Sequence, residues 1–214
     1  YKKDIIEKEP IKLLLKLFLF GILSTGVALF LEIYAEKIFP FSLQSNIIGI
    51  IFRSFIIISF CEELVKWLFT YVICWKDKNF NYVYDAIVYC VFISLGFASV
   101  ENLIAILSNS GGFTLALQRG LITVPAHAFF GIISGYYLGI AKKYEARRWN
   151  KRKRKYIILS LLIPIIVHGM FDSLLFLSST ASLLFATALI VYLYLSSALK
   201  VVKTSSEAKK ITRR

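Results

Sequence analysis

The sequence is short of the features on which soluble and secreted proteins rely. Its three cysteines, Cys61, Cys74 and Cys90, have neither zinc-knuckle spacing nor an even number, so we expect reduced packing residues and no disulfide framework. No low-complexity tract, internal repeat or phosphate-binding glycine loop is present, which leaves the functions built on them without support. Only 18% of the residues are charged and 57% are hydrophobic, with a mean hydropathy of +0.68. We therefore do not expect a soluble monomer.

Six apolar stretches are each long enough to cross a bilayer, and they predict an all-α, polytopic membrane helical bundle. The first run begins near Lys12 and is long enough to span, so no cleavable signal peptide is expected. With short connections between the spans, we expect a single integral membrane domain over residues 1–214, with core motifs at 50–178. The predicted spans are residues 12–34, 46–75, 82–108, 119–141, 156–178 and 181–199.

Basic residues are distributed unequally between the two sides of the predicted bundle. If the amino terminus is cytoplasmic, 21 of the 26 Lys and Arg residues fall on the inner side, and only Lys37 and Arg119 lie outside. Because basic loops stay in the cytoplasm, we expect both terminal segments there, in the plasma membrane of a bacterial cell. The basic run at 147–155 suits an anionic inner leaflet, so the net charge of +13 needs no nucleic acid to explain it.

Two adjacent glutamates, Glu62 and Glu63, stand near the middle of the second predicted span. At about 100° per residue, Lys66 projects between them, so it can neutralise one carboxylate and leave the other available. Neighbouring carboxylates in a low dielectric do not both ionise freely, which favours a general base or acid role for one of them. A structural ion pair between helices is the alternative.

The only two histidines of the chain also lie inside predicted spans. His168 and Asp172 are one helical turn apart, a spacing at which an aspartate can orient a histidine or join it on a metal. Together with Glu101, His127 and His168 form a candidate shell for Zn²⁺ with one position left for water. Each histidine alone is also compatible with a hydrogen-bonded core residue. Ionisable groups are costly in hydrocarbon, so the whole set predicts a functional site.

Several other residues have simpler expected roles. Asp85 is predicted to cap the third span or to pair with a nearby lysine. Asn102 is expected to hydrogen-bond across helices, and Arg119 to be an interfacial anchor or a substrate contact. Nothing in the sequence involves Glu32 or Glu36, which lie at the outer interface. Three glycines at four-residue intervals predict close approach of a neighbouring helix rather than chemistry: Gly131, Gly135 and Gly139.

Four motifs on successive spans together resemble the PrsW family of bacterial intramembrane proteases, which is related to the CAAX prenyl endopeptidase superfamily. They are Glu62-Glu63-x-x-Lys66, Gly96-Phe97-Ala98-x-x-Glu101-Asn102, Pro125-x-His127-Ala128 and His168-x-x-x-Asp172. Against the pattern of the wider superfamily, Glu101 replaces a histidine, Asp172 replaces an asparagine, and the basic residue comes one position earlier. These departures argue against prenylated proteins as substrates.

The resemblance implies a site-1 protease that cuts a single-pass anti-sigma factor near the outer membrane face, after envelope stress or antimicrobial peptides. On this hypothesis, Glu62 of the glutamate pair deprotonates the attacking water, and Lys66 tunes both glutamates. Glu101, His127 and His168 then hold Zn²⁺ or, without metal, position the water and stabilise the oxyanion. Asp172 would orient His168.

Two other classes of membrane protein are compatible with the same residues. A proton- or cation-coupled transporter would also place carboxylates, a lysine and histidines near the membrane midplane, although the sequence has no inverted repeat. A non-catalytic membrane adaptor would use these groups only for packing, and it predicts that mutation of Glu62, Glu63 and His168 leaves function intact.

Overall fold

The computed structural model describes residues 8–108, 112–206 and 210–211. The described residues form helices without strands, as the all-α prediction requires. Residues 1–7, 207–209 and 212–214 of the predicted terminal segments, and residues 109–111 of the predicted turn, lie outside the described residues. The α-helices are α1 (Ile11–Ile38), α2 (Ile47–Phe52), α3 (Phe60–Cys74), α4 (Val83–Ser108), α5 (Gly112–Ala146), α6 (Asn150–Leu177) and α7 (Thr180–Ser206).

The second predicted span, residues 46–75, is one continuous helical segment of three parts. Between α2 and α3 the chain forms a π-helical segment, Arg53–Ser59, in which hydrogen bonds close over five residues instead of four. Asn46 starts the whole segment, because its side chain accepts a hydrogen bond from the backbone N–H of Gly49 at 2.8 Å. The π-helical segment ends directly before the turn that carries Glu62 and Glu63.

Five of the helices, α1, α4, α5, α6 and α7, are long and apolar enough to cross a membrane. With the composite segment from Ile47 to Cys74, they confirm the predicted polytopic bundle. The observed helices α5, α6 and α7 run several residues beyond the predicted spans, since helical hydrogen bonding does not stop where the hydrocarbon does. As a result, the basic residues 151–155 form the first turns of α6.

The predicted role of the glycine repeat is confirmed, because α4 lies directly against it. A Cβ atom added to Gly131 would come within 2.9 Å of the Cys90 carbonyl oxygen. One added to Gly135 would lie 2.5 Å from the Cα atom of Ile87. Small residues of this kind let helix backbones approach closely in a membrane. The α4–α5 pair therefore packs backbone to backbone, and it carries Glu101 and His127 on the same unit.

Two further contacts fix how α4 sits in the bundle. The Asp85 carboxylate accepts hydrogen bonds from the backbone N–H groups of Asn81 and Tyr82, at 2.9 and 2.7 Å, which confirms its predicted role as a cap of this helix. On the face toward α1, the Thr25 hydroxyl donates to the Phe97 carbonyl oxygen at 3.2 Å. Cys61, Cys74 and Cys90 are buried free thiols, as expected.

Candidate functional site

Four buried side chains from three helices converge in the interior of the bundle. Glu62 and Glu63 come from the first turn of α3, His127 from α5 and His168 from α6. Each is at most 5% exposed, and one carboxylate oxygen or ring nitrogen from each lies within 4.8 Å of the others. Ionisable groups are placed together in such a setting only when they compensate one another or bind a cation.

Lys66 supplies a positive charge to this group. Its Nζ atom lies 2.6 Å from Oε1 of Glu63 and 3.4 Å from Oε2 of Glu62. The same atom is 3.2 Å from Nδ1 of His127 and 4.4 Å from the centre of the Phe97 ring. The ammonium is 3% exposed, so water does not screen these interactions. Lys66 therefore lies between the two carboxylates, as the helical spacing predicts, and it is closer to Glu63.

His168 has a carboxylate on each side of its ring. Nδ1 lies 3.0 Å from Oε1 of Glu63, and Nε2 lies 3.3 Å from Oδ2 of Asp172, one helical turn further along α6. The ring also stacks on Phe130 with a centroid distance of 4.6 Å. The predicted contact between Asp172 and His168 is therefore present, and two carboxylates together with one aromatic face define the orientation of the imidazole.

The position of α6 next to the glutamates depends on one close contact. A Cβ atom added to Gly169 would come within 2.6 Å of the Phe55 ring, so only glycine lets this ring of the π-helical segment rest against α6. Gly169 directly follows His168 in the chain. The close contact therefore lies directly beside His168, and the sequence pattern did not predict it.

His127 is held from its other side by Glu101. Its Nε2 atom lies 2.7 Å from Oε2 of Glu101, whose second oxygen accepts a hydrogen bond from Arg119 at 2.6 Å. Arg119 also donates to the side-chain oxygen of Asn102 at 2.8 Å, so the hydrogen bond predicted for Asn102 is present. Arg119 is thus tied to α4, whereas the sequence suggested an anchor or a substrate contact.

The donor set suits a divalent metal ion such as Zn²⁺, which binds histidine nitrogen and carboxylate oxygen. Ligands of a tetrahedral zinc ion lie about 3.3 Å apart, given bonds of about 2.0–2.1 Å. The four donor atoms lie within 4.8 Å of one another, so small side-chain movements would bring them to such distances. Glu101 is not one of these four residues, and it contacts His127 instead, as a residue that orients a metal ligand would do.

Every residue proposed from the sequence for the site lies in one connected network. Sequence reasoning missed Glu32 of α1, whose Oε1 atom is buried without a hydrogen-bond partner. Its carboxylate lies within electrostatic range of Glu101, His168 and Lys66. The sequence did contain a signal for it, because an acidic residue inside an apolar helix is costly in a membrane and therefore indicates a functional role.

Comparisons with known proteins agree on one family. A family model described as "PrsW family intramembrane metalloprotease" matches residues 9–199. "Protease PrsW" of Clostridioides difficile is 31% identical over 211 residues, which cover 98% of this chain and 86% of the relative. "Protease PrsW" of Bacillus subtilis is 33% identical over 175 residues, which cover 82% of this chain and 75% of the relative. No solved structure matches the chain.

These matches include all four motifs and every helix of the site. They show a peptidase and a multi-pass membrane protein, and neither the transporter nor the adaptor alternative predicts a peptidase. The chain belongs to the PrsW family of intramembrane metalloproteases.

Proposed function

We propose that this peptidase makes the first cut in a single-pass anti-sigma factor during envelope stress or antimicrobial-peptide signalling. A second intramembrane protease would then release the sigma factor. The observation that carries the proposal is the buried group of Glu62, Glu63, His127 and His168, whose two histidines lie on helices long and apolar enough to cross a membrane. A substrate must enter the bundle to reach it, and a single membrane-spanning helix is the substrate form that can do so.

Residues 1–214 act as one integral membrane protease domain, with the core motifs at 50–178. Both terminal segments lie in the cytoplasm of a bacterial cell, because the inner side then carries most of the basic residues. This orientation puts Glu101 and His127 in the outer half of their helices and favours cleavage on the extracytoplasmic side.

Glu62 is the general base of the proposed reaction. Glu63 is engaged by Lys66 at 2.6 Å and by His168 at 3.0 Å, whereas the only partner found for Glu62 among the described residues is Lys66 at 3.4 Å. The less engaged carboxylate is the one free to accept a proton. Glu62 removes a proton from water while the water oxygen bonds to the peptide carbonyl carbon. The proton then passes to the leaving nitrogen as the C–N bond breaks.

The neighbouring side chains hold this arrangement in place. Asp172 orients His168, which positions the water together with Glu63. Glu101 orients His127. The Lys66 ammonium stabilises the negative charge that develops on the carbonyl oxygen. His127 and His168 with Glu62 or Glu63 would hold a metal ion, which when bound polarises the carbonyl and acidifies water.

Cleavage of a tagged single-pass anti-sigma factor from the same organism tests the function. The anti-sigma factor is co-expressed with the wild-type protease or with its Glu62→Gln or Glu63→Gln variant. The Glu145→Gln variant, which changes a glutamate outside the site, is the control. We expect the cleaved fragment to disappear with Glu62→Gln and to persist with Glu145→Gln. Cleavage that survives in both Glu62→Gln and Glu63→Gln would make the pair structural and this mechanism wrong.

Metal dependence is tested separately with purified protease in detergent. Removal of bound metal by a chelator, verified by elemental analysis, should abolish cleavage if metal is needed, and Zn²⁺ should restore it. Full activity in metal-free protein would exclude the metal-dependent mechanism and retain the one that uses only the glutamates and histidines.

A further inference from the structure

One buried carboxyl oxygen on α1 has no hydrogen-bond partner among the described residues. This atom is Oε1 of Glu32. By contrast, Glu62, Glu63, Glu101 and Asp172 each have a partner within 3.4 Å. A buried polar atom without a partner is costly, and native proteins keep few of them. Such an atom is retained when something outside the resting structure completes its hydrogen bonding.

Glu32 is half-buried on α1, within electrostatic range of the protease site. It interacts electrostatically with Glu101, His168 and Lys66, which come from three different helices of the site, and also with Glu62. Glu36, one turn further along α1, behaves differently, because its carboxylate accepts hydrogen bonds from Arg53 at 2.9 Å. Glu36 therefore ties α1 to the π-helical segment, whereas the Oε1 atom of Glu32 has no hydrogen-bond partner among the described residues.

A substrate for this site brings unpaired polar groups with it. A peptide bond can be attacked only after the helix around it unwinds, and unwinding frees backbone N–H and C=O groups that find no water in the membrane interior. Each such group requires a partner supplied by the protease. A carboxyl group beside the reacting bond can provide one hydrogen bond to this backbone.

We propose that Glu32 is a substrate-binding residue, whose buried Oε1 atom hydrogen-bonds to the unwound backbone of the substrate. The inference rests on the proposed protease function and adds α1 to the substrate-binding surface. Because the contact is made by one hydrogen bond, an amide at the same position can replace the carboxyl group, whereas an aliphatic side chain cannot.

Binding is measured first, with a protease that cannot cut. In a Glu62→Gln background, the affinity for a fluorescent fragment of the anti-sigma factor, its single span with flanking residues, is determined in detergent micelles. Added Glu32→Leu should weaken binding about tenfold, the loss expected for one hydrogen bond that includes a charged group. Added Glu32→Gln should stay within about twofold, and Glu36→Gln is the matched control on the same helix. Equal affinity for Glu32→Leu and its parent overturns the inference.

Cleavage kinetics separate binding from chemistry. In the otherwise unaltered protease, Glu32→Leu should raise KM with a smaller change in kcat, and Glu32→Gln should restore KM. A loss in kcat alone, or an equal loss for Leu and Gln, would mean that the charge of Glu32 acts on Glu62 and not on substrate, and would overturn the inference. If the wild-type protein fails to cut the anti-sigma factor, the proposed function fails instead.

Thermal unfolding tests the same inference without any substrate. An unpartnered buried oxygen contributes no stabilising contact, so Glu32→Leu should leave the melting temperature unchanged or raise it. A fall of several degrees would show that Glu32 has a structural partner in the resting protein, and the inference would be overturned.

Discussion

Replacement of Lys66 by methionine is the most direct perturbation of the buried network. Methionine has nearly the same length but removes the positive charge shared by Glu62, Glu63 and His127. Removing one partner of a buried ion pair costs about 3–5 kcal/mol, since the remaining charge stays buried without compensation. For a chain of this size, about 1 kcal/mol changes the melting temperature by about 2–4 °C. We therefore expect Lys66→Met to lower it by about 6–20 °C.

The assay is thermal unfolding in detergent, with a double-mutant cycle. Glu63→Gln removes the carboxylate nearest to Lys66, and the double variant Lys66→Met with Glu63→Gln removes both charges of the 2.6 Å pair. We expect the double variant to be more stable than Lys66→Met alone, with a coupling energy of at least about 1 kcal/mol. Lys203→Met, at an exposed position on α7, should melt within about 2 °C of the wild type.

Added Zn²⁺ provides a second measurement on the same variants. If the four donor atoms accept a divalent ion, Zn²⁺ should raise the melting temperature of Lys66→Met more than that of the wild type, because the carboxylates then regain a cation. The reasoning about the Lys66 network is refuted if Lys66→Met melts within about 2 °C of the wild type, or if the two substitutions prove additive.

Three further predictions concern other parts of the molecule. Gly135→Ala should lower the melting temperature, since its methyl group meets the backbone of α4 at a cost of about 1–3 kcal/mol; Gly120→Ala, whose methyl group meets nothing within 4 Å, should not. Asp172→Ala should reduce cleavage about 10–100-fold by releasing His168, and unchanged cleavage would remove its orienting role. Burial raises the pKa of Glu9 from 4.5 to about 7, against a hydrogen bond from Tyr89 that lowers it. Protonated Glu9 therefore stabilises the fold at low pH, and the melting temperature should fall from pH 5 to 8 in the wild type but less in Glu9→Gln.

The helices and much of the site could be predicted because they depend on local pattern. Long apolar runs set the spans, and the four-residue spacings place Lys66 beside Glu62 and Asp172 beside His168 without knowledge of the fold. The glycine repeat likewise predicts a close helix contact, which α4 provides. Each of these predictions depends on the residue spacing within a single helix, which can be read directly from the sequence.

Contacts that depend on the rotation of one helix against another could not be predicted. The contact between Glu63 and His168, the pairing of Arg119 with Glu101 and the approach of Glu32 to the site all join different helices. The π-helical segment was also missed, because its residues are equally compatible with an α-helix.

The same segment, Arg53–Ser59, lets the chain change in length directly before the turn that carries Glu62 and Glu63. A π-helical stretch has a residue more than an α-helix needs, so deletion of one residue such as Ile56 can restore α-helical register without interrupting the helix. Because the deleted residue is the one that the π-helical stretch holds in excess, α2 and α3 would keep nearly the same rotation relative to each other. Arg53 would stay close to Glu36, and Glu62 and Glu63 would keep their places on α3. A single-residue deletion should therefore be tolerated here, whereas the same deletion inside α3 would turn the residues on its two sides by about 100° relative to each other.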